Sequence, residues 1–441
     1  MLTRWRLLKQ IGWCAILGVC MAAPTAWAGL KEYVQQPDDS YHYELVNQTP
    51  LGPCQAYLVR MTSQTWRQIP WEHWLAIIVP PQVDHPDKAV LAIMGGNNDS
   101  DPPQVNSKEA QILGLVAAQA RVPTAVLLQV PNQPLFDGLR EDALIAYTFD
   151  RYLEEGDEDW PLLLPMVKSA VRAMDTVQSV LRQKHQWDVQ SFIVTGASKR
   201  GWTTWLTASV DPRVQAIAPM VIDMLNLNEQ MEHQIRSYGR ISEKIHNYTD
   251  LGLIERLKTE AGQQLCAIVD PYHYRDLLTM PKLILLGTND PYWTVDAANL
   301  YLTGLRGATY LHYEPNAGHG LGPGAIPALM GFIRSMVNEK SLPQLHWQHE
   351  PNGAFVVTWD RPQAEATLWT AKSPNRDFRQ ATWAAQPLEG SSRCQVNVPA
   401  PQSGYVAYYV QVSFPDAMGL RLSTPITVLP ETMPATPAEG S

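Results

Sequence analysis

The stretch Ile193-Val194-Thr195-Gly196-Ala197-Ser198-Lys199-Arg200-Gly201 decides the fold class of this chain. An apolar, β-branched run ends at Gly196, a serine follows two residues later, and an amphipathic segment begins at once. This pattern is typical of a nucleophile elbow, in which a strand turns sharply into a helix and exposes a serine hydroxyl. The free N–H groups of the helix N-terminus then face the hydroxyl. The usual spacing is Gly-x-Ser-x-Gly, and here the second glycine comes one place later.

A candidate acid and a candidate base follow in the order that such a serine requires. The buried run 283–287 predicts a strand, and Asp290 lies in the loop after it. The run 308–313 predicts another strand, and His319 follows between two glycines. Taken singly, Ser198, Asp290 and His319 are also typical of a helix cap, a turn and a solvated loop. Because all three follow predicted strands in the right order, we interpret them as a catalytic triad.

An acyl-transfer serine also needs N–H donors for the developing oxyanion. The first candidate is the backbone N–H of Lys199, which directly follows the serine. The predicted strand 89–94 ends in Gly95-Gly96-Asn97-Asn98-Asp99, where paired glycines allow close approach of the backbone to a substrate. Gly96 or Asn97 is therefore the candidate second donor. The alternative is a plain glycine-rich turn with an asparagine cap.

Strand-like and helix-like segments alternate from about residue 30 to 324. Predicted strands are 75–79, 90–94, 124–129, 193–195, 214–222, 283–286 and 308–313. Predicted helices are 108–120, 162–182, 199–209, 295–305 and 325–338. This alternation indicates a mostly parallel sheet with helices on both faces, within an α/β domain over 29–340. The early segments 41–46 and 55–61 predict an antiparallel pair at the sheet edge.

Two polar, aromatic stretches are expected at the rim of the site. Residues 224–281 have helical periodicity and predict either a cap that excludes water or a purely structural insertion. Within 132–161, Trp160 is a candidate for a substrate-binding wall with Tyr147, although large aromatic side chains more often pack in a core. Tyr292 and Trp293, which follow the candidate acid, are further binding candidates. Arg200 is a candidate for binding a substrate carboxylate, with a solvated helix face as the alternative.

The character of the chain changes after about residue 340. Short alternating runs separated by turn signals over 341–429 predict a small β-sandwich of immunoglobulin or fibronectin III type. It has three possible roles: partner binding, support of the first domain, or simple packing against it. The tail 430–441 is rich in Pro and Thr, and we expect it to be disordered.

The N-terminal 28 residues have the pattern of a secretory signal peptide. Basic residues precede an apolar run, and Ala26-Trp27-Ala28 supplies small residues at a cleavage site. A retained anchor and a lipoprotein processed at Cys20 are the alternatives. Export to the periplasm or the medium is the expectation. Cleavage would remove three positive charges and no acidic residue, so the formal net charge of −9 would become −12.

The composition narrows the expected partners and cofactors. An acidic chain argues against nucleic acid or an anionic membrane as a partner. Cys54, Cys266 and Cys394 would remain after cleavage, so at most one internal disulfide is possible. The sequence shows neither metal-ligand spacing nor a phosphate-binding loop with lysine, so we expect no cofactor and no metal. It does not predict the oligomeric state.

Several long motifs resemble the PhoPQ-activated pathogenicity-related proteins of the α/β-hydrolase superfamily. One motif is the elbow itself, Gly196-Ala197-Ser198-Lys199-Arg200-Gly201-Trp202. The others are Ile93-Met94-Gly95-Gly96-Asn97, Trp160-Pro161-Leu162-Leu163-Leu164-Pro165-Met166, Ile222-Asp223-Met224-Leu225-Asn226 and Gly287-Thr288-Asn289-Asp290-Pro291-Tyr292. The resemblance extends to Ser373-Pro374-Asn375-Arg376-Asp377-Phe378-Arg379. It implies an α/β-hydrolase fold and an exported, virulence-related hydrolase whose substrate is poorly defined. A more distant similarity, by the elbow spacing, is to acetyl-xylan and glucuronoyl esterases.

The expected function is therefore hydrolysis of a carboxylic ester or amide through a covalent Ser198 intermediate. The expected substrate is a small molecule, a glycan ester or a peptide, without stable membrane insertion of the protein. Peptidases of the prolyl-oligopeptidase type share the architecture, and Glu141, Asp142 or Asp223 would then bind the substrate amine. The third possibility is a secreted binding protein that keeps the scaffold without catalysis.

Overall fold

The structure is a computed structural model that describes residues 29–100, 102–104, 108–417 and 419–432 of the 441. The predicted signal peptide and residues 433–441 of the predicted tail lie outside the described residues. Among the helices that are described, none has the length and apolar character needed to cross a membrane. The three described cysteines are buried and unpaired with one another.

A large twisted sheet organises the first part of the chain. Its described strands are β1 (His42–Leu51), β2 (Cys54–Trp66), β3 (Ile69–Val79), β4 (Lys88–Ile93), β5 (Thr124–Leu127), β6 (Ser191–Ala197), β7 (Val214–Met220), β8 (Lys282–Gly287) and β9 (Thr309–Glu314). They lie in the order β1-β2-β3-β5-β4-β6-β7-β8-β9. The first three strands are antiparallel, and β3 is also antiparallel to β5. From β5 to β9 the neighbours are parallel, as the alternating pattern predicts.

The strand order reverses between β4 and β6, and this reversal locates the site. The chain leaves β4 to form β5 on one side, and later adds β6 on the other side. The loops after β4 and β6 therefore diverge, and a crevice opens at the carboxyl edge between them. The register pairs Ile93 with Gly196, so the Gly95-Gly96 turn lies beside the Ser198 elbow.

Helices cover the two faces of the sheet. They are α1 (Leu30–Gln35), α2 (Lys108–Ala120), α3 (Glu141–Glu155), α4 (Leu163–His185), α5 (Lys199–Val210), α6 (Leu227–Tyr238), α7 (His246–Thr249), α8 (Leu253–Arg256), α9 (Glu260–Val269) and α10 (Ala325–Val337). Helices α1, α4 and α5 pack against one another, and α2 packs against α10. Helices α6 to α9 lie between β7 and β8, and α7, α8 and α9 contact α3. The structure is thus an α/β-hydrolase fold, as expected.

Two segments differ from their predicted secondary structure. The stretch that contains α3 carried no predicted helix, although Leu144, Ile145, Thr148 and Phe149 share a buried face. Its many polar and charged residues obscured the helical period. Conversely, the predicted helix 295–305 is two short 3₁₀ turns, Ala297–Leu300 and Leu302–Gly304. Between the two turns the Tyr301 backbone is not helical, and its hydroxyl donates to buried Asp223.

The C-terminal part forms two antiparallel sheets. One has the order β10 (Leu345–His349), β11 (Phe355–Trp359), β14 (Arg393–Val396). The other has the order β13 (Ala384–Leu388), β12 (Glu365–Ser373), β15 (Tyr405–Phe414), β16 (Leu420–Ser423), and β17 (Thr427–Leu429) also pairs with β15. One hydrophobic cluster runs from Phe332 on α10 into Phe355 and Phe414 of these sheets. The C-terminal sheets therefore share a core with the α/β part.

Candidate active site

Ser198 lies at a strained turn between β6 and α5. Its backbone has φ 57° and ψ −125°, a conformation that a non-glycine residue rarely adopts. A Cβ atom added to Gly196 would lie 2.6 Å from the carbonyl oxygen of Arg200. A Cβ atom added to Gly201 would lie 2.7 Å from Ile222 Cγ2 and 3.0 Å from the carbonyl oxygen of Gly196. The second glycine therefore lies where α5 packs directly against β6 and the end of β7.

Ser198, His319 and Asp290 form one hydrogen-bonded chain. His319 Nε2 lies 2.8 Å from Ser198 Oγ, and His319 Nδ1 lies 2.8 Å from Asp290 Oδ2. The backbone N–H of Tyr292 donates to the other Asp290 oxygen at 3.0 Å, which fixes the carboxylate. The Tyr292 ring packs on the imidazole with 4.2 Å between ring centres. The structure therefore brings together the three residues selected from the sequence, from loops after three different strands.

The C-terminal part holds the two loops that carry the acid and the histidine. Asn289, which precedes Asp290, donates its side-chain amide to three carbonyl oxygens, those of Phe378, Arg379 and Ala381. Those distances are 3.3, 3.2 and 2.7 Å. Asn316, three residues before His319, is paired in both directions with the backbone of Trp383. Sequence reasoning missed these contacts, because asparagine in a loop is an ordinary turn residue.

The oxyanion candidates lie on both sides of the elbow. Lys199 is the first residue of α5, so its N–H is unused by the helix. In the loop after β4, Gly96 has φ 139°, a conformation that favours glycine. Gln133 Nε2 donates to the carbonyl oxygen of Gly96 at 3.0 Å. Since a trans peptide points its N–H opposite to its C=O, this bond directs the N–H of Asn97 away from Gln133.

Arg200 does not lie in the cavity beside Ser198, so its expected contact with substrate is wrong. Its guanidinium donates to both carboxylate oxygens of Glu141, at 2.6 and 2.8 Å, and to the carbonyl oxygen of Val130 at 2.5 Å. It also lies directly under Gly95, where a Cβ atom would be 2.5 Å from Nη2. Arg200 therefore connects α5, α3 and the loop after β4.

Glu141, together with Asp142, also forms ion pairs with Lys199. Lys199 Nζ lies 3.0 Å from Asp142 Oδ2 and 3.2 Å from Glu141 Oε2. Burial raises the pKa of Glu141, but the hydrogen bonds and charge of Arg200, with the charge of Lys199, lower it to about 2. Tyr248 lies in the inserted segment 224–281, which contains α6 to α9 and is here called the cap, and it donates its hydroxyl to Asp142 at 3.2 Å. Both carboxylates at this side of the site thus have cationic partners.

A cavity of about 70 Å³ opens beside Ser198 and His319 beneath the cap. Tyr292 and Trp293 are among the residues that line it. Trp160 does not, so its expected place in the binding wall is wrong. Its ring lies under the Arg67 guanidinium at 3.5 Å, and its Nε1 donates to Glu155. Its partners are other aromatic rings, which retain it in the core: Trp66, Phe136 and Tyr147.

Asp223 lies buried behind the candidate acid. Tyr301 donates its hydroxyl to Asp223 Oδ1 at 2.6 Å. Burial, with the charges of Asp290 and Asp296, raises the pKa of Asp223 to about 7. A cavity of about 10 Å³ separates this region from Asp290, and the buried hydroxyls of Thr294 and Tyr313 at its wall have no hydrogen-bond partner. Asp223 is therefore placed to interact with the triad from behind, away from substrate.

Other features of the described chain lie apart from this constellation. A groove of about 560 Å³ between β9 and the C-terminal sheets contains none of the three triad residues. Among the described residues, no group of three or more His, Cys, Asp or Glu side chains is arranged to hold a metal ion.

Comparison with known proteins gives matches along most of the chain. The family model of the PhoPQ-activated pathogenicity-related proteins matches residues 30–379. A curated relative from Dictyostelium discoideum, autocrine proliferation repressor protein A, is 30% identical over 453 residues, covering 92% of this chain and 91% of its own length.

Solved structures with a similar backbone include two esterases. An acetyl xylan esterase from Paenibacillus sp. R4 has a TM-score of 0.48 at 15% identity, covering 70% of this chain and 92% of its own. A glucuronoyl esterase from Solibacter usitatus has a TM-score of 0.44 at 10% identity, covering 68% and 87%.

Proposed function

Because this chain belongs to the PhoPQ-activated pathogenicity-related protein family, we propose that it is a serine hydrolase that cleaves carboxylic esters. The observation that carries the proposal is the chain of two 2.8 Å hydrogen bonds from Ser198 through His319 to Asp290. It lies at the carboxyl edge of the sheet, beside a cavity, which is where such folds bind ligands.

The geometry supports a two-step acyl transfer. His319 Nε2 accepts the Ser198 proton as Oγ attacks the ester carbonyl, and Asp290 stabilises the imidazolium that forms. The N–H groups of Lys199 and of Gly96 or Asn97 donate to the oxyanion. His319 then gives the proton to the departing alcohol. A water molecule then attacks the acyl carbon as it gives a proton to His319, and His319 passes that proton to Ser198 Oγ as the bond to the acyl group breaks and the carboxylic acid is released.

The arrangement of the acidic side chains favours an ester over a peptide with a free N-terminus. A peptidase that trims N-termini needs an accessible carboxylate for the substrate ammonium group. Glu141 and Asp142 are engaged by Arg200, Lys199 and Tyr248. Asp223 is buried behind Asp290. The three carboxylates considered for binding a substrate amine are therefore either paired with other side chains or buried.

Export is part of the same proposal. The basic, apolar and small-residue pattern of residues 1–28 supports delivery to the periplasm or the medium. N-terminal sequencing of the protein recovered from the periplasm and medium tests this. We expect a mature chain that begins at residue 29. An uncleaved chain retained inside the cell would contradict export.

The central experiment is labelling with a fluorophosphonate probe. We expect the wild type to be labelled and to hydrolyse p-nitrophenyl esters faster than aminoacyl-prolyl anilides. Ser198→Ala should lose both signals while its circular dichroism is unchanged. Ser209→Ala, which changes another serine of α5, is the matched control and should remain labelled. A folded wild type that neither reacts with the probe nor cleaves any substrate would support a non-catalytic binding protein.

A further inference from the structure

We infer that the substrate's acyl group is a short, uncharged hydrocarbon chain that enters the cavity beneath the cap. This inference rests on the proposed ester hydrolysis at Ser198. The cap supplies apolar side chains to the cavity from α6, α8 and the segments beside them, and all are less than a tenth exposed. They are Leu227, Met231, Ile245, Leu253, Ile254 and Leu257.

The walls are mostly apolar and offer a substrate few polar partners. Among the described residues that line the cavity, the acidic and basic side chains outside the triad are Asp142 and Lys199. They pair with each other at 3.0 Å, and the Tyr248 hydroxyl donates to Asp142. A charged or hydroxylated acyl group would exchange its hydration here for few hydrogen bonds, which is costly. The cavity therefore favours a hydrocarbon chain over uronate, sugar-acid and aminoacyl groups.

The volume limits the length of the chain. The cavity volume of about 70 Å³ is several times the roughly 10–15 Å³ needed to hold one water molecule, so the cavity accommodates a short chain. We expect the best fit from an unbranched acyl group of about four to six carbons. Longer chains would have to displace buried side chains of a close-packed cap.

The burial of the cap side chains around the cavity favours the acyl part over the alcohol part. The alcohol must leave before water can attack, whereas the acyl group stays bonded to Ser198 Oγ until the second step. A cavity walled by buried residues suits the group that remains. The alcohol then departs on the open side of His319, whose side chain is 27% exposed.

The test is a series of p-nitrophenyl esters with straight acyl chains from two to twelve carbons. We expect kcat/KM to rise about fourfold per added methylene up to four to six carbons, because each buried methylene contributes about 0.8 kcal/mol. It should fall beyond that length. A second series keeps the acetyl group and lengthens the alkyl alcohol, and we expect no comparable rise there.

Two cavity variants and one control make the test specific. Met231→Trp should shift the optimum toward acetyl, and Leu257→Ala should shift it to longer chains. Ile235→Trp places the same bulk on the 40% exposed side of α6 and should leave the profile unchanged. Should Met231→Trp fail to fold, Leu257→Ala still tests the direction of the shift.

The outcomes separate this inference from the proposed function. A flat acyl profile, an optimum at ten or more carbons, or a rise confined to the alcohol series would overturn the inference while leaving Ser198 an active nucleophile. Absence of fluorophosphonate labelling, together with no ester cleavage at any length, would instead overturn the proposed function.

Discussion

The side chain of Asn316 and the backbone of Trp383 hold each other through two hydrogen bonds. The Trp383 N–H donates to Asn316 Oδ1 at 2.7 Å, and Asn316 Nδ2 donates to the Trp383 carbonyl oxygen at 3.0 Å. Asn316 lies on the His319 loop, and Trp383 lies just before β13 of the C-terminal part. Since Asn289 makes three similar bonds from the Asp290 loop, the C-terminal part supports the geometry of the triad.

Removing these bonds should lower turnover more than substrate binding. Asn316→Gly deletes the side chain and keeps the φ of 58° without strain, and Asn289→Ala deletes the other set. We expect kcat to fall by up to about 10²-fold with little change in KM, because small misplacement of catalytic groups is costly. Steady-state kinetics on one ester provides the measurement.

The matched control for these variants is Asn299→Ala. Asn299 also donates to the C-terminal part, at the Ile426 carbonyl oxygen, but it lies outside the triad loops. It should leave kcat unchanged. An equal loss in all three variants would mean that general destabilisation, and not positioning, explains the effect.

Replacing the triad acid should abolish most of the activity without unfolding the protein. In Asp290→Asn the amide cannot stabilise the imidazolium, and we expect kcat to fall by about 10⁴-fold. Asp276→Asn, at an exposed carboxylate paired with Arg306, is the control. Kinetics and thermal unfolding of both variants provide the measurement, and full activity of Asp290→Asn would exclude Asp290 as the orienting acid.

Loss of the Glu141 charge should destabilise the protein in a pH-dependent way. Glu141→Gln leaves Arg200 without its anionic partner, and we expect a loss of about 1–3 kcal/mol at pH 7, reduced by the partial exposure of Glu141. The pKa of Glu141 is lowered from 4.5 to about 2 in the folded protein. The wild type should therefore exceed Glu141→Gln in free energy of unfolding by the full amount above pH 4.5, and this difference should disappear as the pH falls toward 2.

Urea unfolding at several pH values measures this difference. Glu154→Gln, in an exposed pair with Arg151, is the control and should cost at most about 0.5 kcal/mol. A destabilisation of Glu141→Gln that stays constant between pH 7 and pH 3 would contradict the assigned charge interaction.

Asp223→Asn should have the opposite pH dependence. The folded protein raises the Asp223 pKa from 3.8 to about 7, so folding favours the protonated acid. The protonated Asp223 side chain therefore contributes fully to the stability of the folded protein below pH 3.8. This contribution is lost as the pH rises through 7. The wild type should therefore lose stability relative to Asp223→Asn over this window, on the order of 4 kcal/mol.

Chemical denaturation between pH 4 and pH 8 checks this expectation. Asp250→Asn, at an exposed position, should behave like the wild type throughout. A stability difference that does not vary with pH would show that Asp223 is ionised in the folded protein at all these values.

The local sequence was sufficient for the parallel strands, the elbow and the order of the triad. Buried β-branched runs such as Ile193–Thr195 specify strands through their own composition, and glycines mark the turns that follow them. Once these strands are parallel, their carboxyl ends meet at one edge. Ser198, Asp290 and His319 are therefore brought to that edge by features that each local segment carries.

The hydrogen-bond and ion-pair partners of the polar side chains were decided only by the tertiary structure. Arg200 looks the same in sequence whether it faces substrate or Glu141, and Asn316 looks like any turn residue. Tyr301 lies outside a regular helix and donates its hydroxyl to buried Asp223, and Trp160 packs in the core against other aromatic rings. Such choices depend on residues distant in the chain, whose burial and charge override local preference.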